Sequence, residues 1–403
     1  MKRSITLISG MLVAVAICIQ MAGATTNYVD RYGANPVPNY TNWATAATNI
    51  QDAVDVAMAT PGNTVLVSNG VYDTGGKITP GGLLTNRVCV TNAIILRSVN
   101  GPDYTSIKGQ PSPEAGGIGT GAVRCVYLFR GASLIGFTLT NGYTMSNQAA
   151  NAHMGGGGVY VNTSGTVSNC VIVGNYGWRF AGGGAGLDGG GTLNNCIISN
   201  NYIPAYGGGV AVWYGTLNNC IIVNNMTATL GGGVMAYASS INNCLIAGNT
   251  ATNGSSGGVF AWHYPVTLNS CTIAGNSDTT SAGGIQFYFG HTGMTNCIIW
   301  GNTSSGGSSN YSFNAGTCTL SYVCSGPVRV GTGNTGSDPL YVGQASGDYR
   351  LTKYSPCVNV GIYQSWMTDA DDIDGHRRLD KFSGIVDLGC YEYIPQGTLV
   401  SVP

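Results

Sequence analysis

Charged side chains, the usual source of acid–base chemistry, are scarce in the middle of this 403-residue chain. Across residues 141–328 there are three: Arg179, Asp188 and Asp278. Hydrolysis of a glycosidic bond needs two carboxyl groups about 5–10 Å apart. Three to four repeat units separate the two aspartates, and stacking of those units about 4.8 Å apart would place the carboxyl groups well outside this range.

Three histidines in the same stretch are His153, His263 and His291. A histidine that acts as a base normally has a carboxylate or carbonyl that orients its ring. None of the three has a carboxylate partner nearby in sequence, and each is interpreted as a surface or turn residue. The sequence predicts no catalytic residue.

A cluster of carboxylates near the C-terminus could hold a calcium ion. It comprises Asp369, Asp371, Asp372 and Asp374. The segment does not fit the EF-hand pattern, because Ala370 takes the first ligand position. Calcium is therefore the one cofactor considered, and a solvated turn is the alternative.

The positions of the cysteines show an internal repeat. An Asn-Cys-x-Ile unit, with small variations, recurs with spacings of 26, 24, 24, 27 and 26 residues between its cysteines. The six cysteines are Cys170, Cys196, Cys220, Cys244, Cys271 and Cys297. Repeats of this length predict a solenoid, in which equivalent residues stack in columns.

Each unit contains short apolar runs of alternating pattern, separated by glycine and asparagine. Such runs predict three short strands per coil, stacked about 4.8 Å apart. A second asparagine lies five residues after each cysteine, and asparagine at a bend can pass amide hydrogen bonds from coil to coil. The predicted fold is all-β: a right-handed parallel β-helix of about ten coils.

The stacked cysteines are interpreted as a column of buried thiols. Parallel side chains in register keep their Cβ atoms too far apart for a good disulfide. One straight column also cannot surround a metal ion tetrahedrally. Outside the column, Cys357 could pair with Cys390, and Cys318 with Cys324.

An aromatic column is the better candidate for binding. Trp213, Tyr237, Trp262 and Tyr288 lie three residues after the apolar residue that follows each glycine cluster. Strand alternation points these rings outward. Tyr214, His263 and Tyr264 enlarge the patch, which would suit the apolar faces of sugar rings. Alternatively, the rings stack on one another and only stiffen the solenoid.

The first 24 residues have the pattern of a cleavable signal peptide. Lys2 and Arg3 precede an apolar stretch, and Ala22-Gly23-Ala24 supplies small residues before Thr25. The mature chain is expected to contain no transmembrane span. Its net charge of −1 includes no basic patch, which argues against a nucleic-acid partner. The protein is expected to be secreted, or to lie on a bacterial cell surface or outer membrane.

The repeats resemble those of the right-handed β-helix superfamily that includes pectate lyases and the polymorphic outer-membrane repeats. The segments IQDAVD at 50–55 and PGNTVLV at 61–67 resemble its usual entry, a capping helix followed by a first coil. The resemblance implies this fold and an exported protein. A site like that of a pectate lyase would need acidic calcium ligands and a basic residue, and its motifs match no positions here.

The C-terminal portion resembles the family called choice-of-anchor Q. The matching segments are DPLY at 338–341, GDYRL at 347–351, SPC at 355–357, DGHR at 374–377 and VDLGCYE at 386–392. An anchoring tail usually follows in proteins of this family; the sequence continues for eleven residues after Glu392, so the expectation is either that the tail is missing or that the protein is released. The expected organisation is a signal peptide at 1–24, an N-terminal cap at 25–60, the β-helix at 61–325 and a C-terminal cap at 326–403.

Two functions remain open from the sequence. The favoured one is a secreted or cell-surface rod without catalytic activity that binds a polysaccharide or cell-surface glycan, as an adhesin or scaffold does. The alternative is a polysaccharide lyase or glycoside hydrolase. Fold-level analogy alone supports the enzyme, and the scarcity of charge favours binding.

Overall fold

The chain folds as a right-handed parallel β-helix in a computed structural model that describes residues 23–146, 155–379 and 384–395. Each coil passes through a front sheet, two columns of a back sheet and, in five of the coils, a short side sheet. The proposed signal peptide up to residue 22 and His153 lie outside the described residues.

The front sheet has ten strands, all parallel except for the first pair. The strands are Lys77–Ile78, Thr85–Val90, Val123–Phe129, Val159–Asn162, Ala185–Asp188, Val210–Trp213, Val234–Tyr237, Val259–Trp262, Ile285–Tyr288 and Tyr311–Phe313. Successive strands pair without a register shift over residues 159–288, so equivalent residues stack in straight rows.

The first column of the back sheet follows the front sheet around a corner. Its strands are Thr26–Val29, Thr64–Val67, Ile95–Ser98, Ser133–Ile135, Thr166–Ser168, Thr192–Asn194, Thr216–Asn218, Ser240–Asn242 and Val266–Asn269, with the first parts of His291–Trp300 and Thr317–Ser325. The Asn-Cys corner then turns the chain. Asn169, Asn195 and Asn219 all adopt φ +52° there, the left-handed conformation that asparagine tolerates.

The second column contains the strand that follows each cysteine. Its strands are Gly70–Tyr72, Thr105–Lys108, Thr138–Thr140, Val171–Val173, Ile197–Ser199, Ile221–Val223, Leu245–Ala247 and Thr272–Ala274, with the last parts of the two long strands. The side sheet comprises Tyr202–Ile203, Met226–Thr227, Thr250–Ala251, Ser277–Asp278 and Thr303–Ser304.

The interior confirms the predicted stacking of the repeat. All six repeat cysteines and the isoleucines two positions after them are buried in the core. The described cysteines are free thiols, and burial raises the pKa of Cys170, Cys244 and Cys297. A buried thiol with a raised pKa has little thiolate, so these three thiols are poor nucleophiles.

The second asparagine of each repeat forms a continuous ladder inside the helix. The side chain of Asn201 donates to that of Asn225 over 3.0 Å, and Asn225 donates to Asn249 over 3.0 Å. The same amide groups bond to backbone N–H and C=O groups at the bend. The ladder runs from Asn175 to Asn302 and ends on Asn310, an asparagine that is not part of the repeat.

The N-terminal end is closed by the α-helix Ile50–Ala57, at the position predicted for a capping helix. Asn49 caps it by accepting from the backbone N–H of Asp52. Its buried face packs on the first strands. The 3-10 turns Trp43–Thr45, Ala115–Gly117, Gln344–Ser346 and Ser365–Met367 are the remaining helical elements among the described residues.

The C-terminal segment covers one end and then one side of the β-helix. Residues 326–337 run beside the last long strand, where the backbone of Ser325 donates to Thr335. The chain then forms the antiparallel strands Tyr341–Gly343 and Asp348–Leu351 and continues back along the second column. We call residues 338–379 and 384–395 the C-terminal unit.

Neither of the two possible disulfides forms, because the described cysteines are all free thiols. Cys390 packs against Leu245 and Ala274, whereas Cys357 lies in a separate cluster with Cys324. The suggested pairing of Cys357 with Cys390 is therefore wrong, because the C-terminal unit holds the two residues over different coils.

No helix in the described part of the chain is long and apolar enough to cross a bilayer.

Candidate functional site

The predicted aromatic column forms a row on the outer surface of the front sheet. Trp213 is in register with Tyr237, and Trp262 with Tyr288. The alternate residues of these strands, such as Val210 and Val212, are buried in the core, so the four rings point outward as expected.

The inner edge of this row packs on other side chains. Ala211, Met235 and Phe260 form a parallel outward row that is fully covered. Trp213, Trp262 and Tyr288 lie against it, together with Tyr206 and Leu230 from the loops before the strands. The inner edge of the row therefore packs within the protein and stiffens the solenoid, which is the alternative role that the sequence allows for these rings.

The outer edge of the row is open to solvent. Tyr214 is 58% exposed, Tyr264 51% and Phe289 44%. The ring centroid of Tyr237 lies 5.5 Å from that of Tyr214 and 4.7 Å from that of Tyr264, and that of Tyr288 lies 4.8 Å from Phe289. The aromatic strip, as we name it, comprises Trp213, Tyr214, Tyr237, Trp262, Tyr264, Tyr288 and Phe289.

The corner after the front sheet has left-handed backbone in successive coils, and in three coils of the strip it carries a ring. Tyr214, His263 and Phe289 have φ of +59°, +56° and +48°. In an earlier coil, where Asp188 is in register with Trp213, the same corner is Gly189 with φ +72°. A bulky residue costs about 1–2 kcal/mol in this conformation, which glycine adopts freely. The bulky rings are held at this corner at a cost in backbone energy.

Asp188 ends the strip on its N-terminal side. Its carboxylate accepts a hydrogen bond of 3.1 Å from the hydroxyl of Tyr160, one coil away. Burial raises the pKa of Tyr160, and the negative charge of Asp188 raises it further. Together with Ala181 and Trp213, the two side chains line a cavity of about 90 Å³. The pair can accept and donate hydrogen bonds beside the rings.

Arg124 lies beneath this end of the strip and is completely buried. Its guanidinium stacks 5.2 Å from the ring centroid of Tyr160 and donates to the carbonyls of Gly155 and Gly156. Burial lowers its pKa to about 10. These contacts hold together the loop before the front strand, so Arg124 supports the site without facing solvent.

The structure does not bring the two lone aspartates together. Asp188 lies on the front sheet, whereas Asp278 belongs to the side sheet. One oxygen of Asp278 accepts backbone N–H bonds from Ser256 and Ser281, so this residue stabilises a bend. The two carboxylates lie on different sheets and do not form a pair, as the sequence predicts.

The histidines also lie apart. His263 stacks on Phe289, with centroids 5.3 Å apart, and its ring is part of the exposed edge beside the strip. His291 bonds to the hydroxyl of Thr317. Neither has a carboxylate in a salt bridge among the described residues.

The acidic cluster in the C-terminal unit has a different geometry from a calcium loop. Asp372 is buried, and its oxygens accept from the backbone N–H groups of Asp374, His376 and Glu392. Asp371 lies 3.5 Å from Arg377. The described residues contain no group of three or more potential ligands arranged to hold a metal. Calcium binding stays a prediction, and Asp372 has a clear structural role without it.

Comparison with known proteins identifies the fold and goes no further. No family model and no curated protein matches the chain. Among solved structures, pectate lyase Pel9A superposes with a TM-score of 0.55 at 14% identity, covering 93% of this chain and 97% of that one. The fold is a pectate-lyase-like β-helix. A rhamnogalacturonan lyase matches with a TM-score of 0.46 at 12% identity, covering 85% of this chain and 97% of that one.

Sequence reasoning missed part of the site. Phe289 was not included in the patch, and the Tyr160–Asp188 pair was not found. Phe289 directly follows Tyr288, as Tyr214 follows Trp213, so the repeat alignment contained the signal for it. The Tyr160–Asp188 contact joins residues 28 positions apart, and only the register of two strands places them together.

Proposed function

We propose that this protein is an extracellular rod that binds polysaccharide through the aromatic strip, without catalysing a reaction on it. The observation that carries the proposal is the run of rings with an exposed edge along several coils of one rigid sheet. A polysaccharide is a long repeating ligand, and a solenoid presents repeated contacts along its axis. The signal-peptide pattern at the N-terminus supports export.

The energetic cost of the corner residues supports this proposal. Non-glycine residues in left-handed conformations concentrate at functional sites, where the local cost persists because the surrounding structure enforces it. At Tyr214 and Phe289 the bulky side chain is also one of the exposed rings. The equivalent corner holds Arg130, Thr163, Gly189 and Ala238 in other coils, so the exposed tyrosine and phenylalanine at this corner are particular to Tyr214 and Phe289.

A catalytic role has one specific observation in its favour, the Tyr160–Asp188 pair beside the cavity at the end of the strip. A hydroxyl and a carboxylate next to a binding surface could transfer a proton. The hypothesis of a polysaccharide lyase or hydrolase therefore predicts product release that is lost in Asp188→Asn. The binding proposal predicts no products from any polysaccharide that the protein retains.

The direct test is affinity electrophoresis on a panel of immobilised polysaccharides. The double variant Tyr214→Ala, Tyr264→Ala should lose retention at least tenfold, because stacking on an exposed ring contributes about 1 kcal/mol or more per ring. Both residues are more than half exposed, so the variant should fold. Trp213→Ala with Trp262→Ala should also lose retention and should in addition destabilise the sheet.

The matched control is Tyr104→Ala with Tyr354→Ala, which removes two exposed tyrosines away from the strip. It should bind like the unmodified protein. Equal retention of the strip variant and the control variant would contradict the proposal, as would the failure of the unmodified protein to bind any polysaccharide in the panel.

A further inference from the structure

We infer that the polysaccharide bound by the aromatic strip is uncharged, in contrast to a polyuronate. This inference rests on the proposed function and adds to it the chemical class of the ligand. It follows from the charges on and around the front sheet. Aromatic rings alone would stack on charged and uncharged sugars alike.

The coils that form the strip contain almost no charge. From residue 189 to residue 328 the chain has one charged side chain, Asp278, which is 5% exposed and lies on the side sheet. The strip residues span 213–289, entirely within this range. A uronate chain along the strip would bring many carboxylates against apolar rings, and the coils of the strip supply no Arg or Lys to pair with them.

The nearest arginines in sequence stack on aromatic rings that are not part of the strip. Arg179 stacks 4.4 Å from the ring centroid of Phe180, and Arg329 stacks 3.9 Å from that of Phe313. Arg130 stacks 5.0 Å from Phe129. All three precede or follow the strip in the chain, and none belongs to the coils of the strip itself. Recognition of a polyanion needs cations spaced along the ligand.

The charge at the end of the strip has the wrong sign for a polyanion. Asp188 continues the row of outward residues, in register with Trp213. A carboxylate there repels a uronate and accepts hydrogen bonds from sugar hydroxyls. The tyrosine hydroxyls of the strip can donate or accept in the same way. Rings, hydroxyls and one acceptor suit a neutral hexose or pentose polymer.

The experiment compares two sets of immobilised probes under one set of conditions. Xyloglucan, galactomannan and a soluble β-glucan are the neutral probes, and polygalacturonate and alginate are the polyuronates. Affinity electrophoresis at low salt, with and without calcium, should show at least tenfold stronger retention by one or more neutral probes. Replacing Asp188 by Asn should narrow that preference by about threefold, since it removes one like charge from the surface.

The outcomes separate this inference from the proposed function. Retention by polyuronates that equals or exceeds retention by neutral probes, and that is lost in Tyr214→Ala, Tyr264→Ala, would overturn the inference and leave the strip as the binding surface. Retention by no probe, or retention that the strip variant does not change, would overturn the proposed function itself. A preference for neutral probes that is lost in Tyr214→Ala, Tyr264→Ala would support both the inference and the proposed function.

Discussion

The front sheet and the second column of the back sheet both carry rows of outward apolar residues, but they differ in how far the chain itself covers them. On the second column, Leu245 and Ile298 are buried beneath the C-terminal unit. On the front sheet, no described segment covers the outer edge of the aromatic strip, and Tyr214 and Tyr264 remain more than half exposed.

This difference shows which surface is available to a partner. The C-terminal unit buries aliphatic side chains with Tyr349, Leu351, Leu388 and Tyr391, as a domain core does. The strip instead presents aromatic rings at an accessible edge, and the hydroxyls of Tyr214 and Tyr264 add polar groups there. Contiguous exposed apolar surface on a folded protein usually marks an interaction site. We call the outward apolar residues beneath the C-terminal unit the covered row and the aromatic strip the open row. The contrast between these two rows can be tested by substitution.

The largest effect is expected at the residue that fastens the C-terminal unit. Arg378 is fully buried, donates to Asn243 over 2.7 Å and lies 2.7 Å from Glu392. Arg378→Met leaves a buried carboxyl and amide without their partner, and it should cost about 3–5 kcal/mol of stability. Chemical denaturation, with hydrogen exchange across residues 338–395, measures this cost.

The control is Arg377→Met at the adjacent position. The side chain of Arg377 is 56% exposed, and its pair with Asp371 should contribute less than about 1 kcal/mol. Arg378→Met should also keep its retention on polysaccharide, because the two faces are separate. Loss of retention in this variant would show that the covered row and the open row are coupled.

Sequence reasoning identified the interior because the interior repeats. The cysteine, isoleucine and asparagine columns follow from a spacing of 24–27 residues, and each occupies the predicted place. The outward direction of Trp213 and its three equivalents followed from strand alternation in the same way. Register in a solenoid is repeated from coil to coil, so one correct alignment predicts many contacts.

The C-terminal unit does not repeat, and its contacts could not be predicted. Its contact between Arg378 and Asn243 joins residues 135 positions apart, and nothing in the spacing of either residue indicates it. The same applies to the backbone of Tyr214, since a tyrosine gives no local signal for a positive φ. The position of Tyr214 in the repeat predicts where its ring lies, but only the structure shows that its backbone is left-handed and therefore costs energy.

A smaller effect is expected from pH, through Glu392. Burial raises its pKa to about 8, against the opposing attraction of Arg378. As pH rises above 4.5 the unfolded chain loses this proton first, so the contribution of Glu392 to stability falls until pH passes about 8. The loss should be about 2–4 kcal/mol between pH 5 and pH 9, because a shift of one pKa unit corresponds to about 1.4 kcal/mol.

The comparison variant is Glu392→Gln, which mimics the protonated carboxyl at every pH. The difference in unfolding free energy between the two proteins, measured at several pH values, isolates this group from all others. The unmodified protein should lose stability relative to the variant as pH rises. A relative gain instead would mean that the ionised pair with Arg378 outweighs the cost of burial.

The smallest change in stability is expected on the open row, at Tyr214→Gly. Glycine relieves the left-handed backbone at φ +59°, and the exposed ring contributes little packing. The free energy of unfolding should stay unchanged or rise by up to about 1 kcal/mol, because the relief offsets the extra entropy of an unfolded glycine. Retention on polysaccharide should fall in the same variant.

Ala238→Gly is the matched control for this last change, because Ala238 occupies the equivalent corner of the next coil with φ +49° and has no ring. It should gain similar backbone relief and keep its retention. If Tyr214→Gly lost about 2 kcal/mol or more while Ala238→Gly did not, the ring at 214 would be a packing element, and the two rows would differ only in how much of each is covered. If Tyr214→Gly instead keeps its stability and loses its retention on polysaccharide, then the tyrosine ring at this corner serves ligand binding and not the stability of the fold.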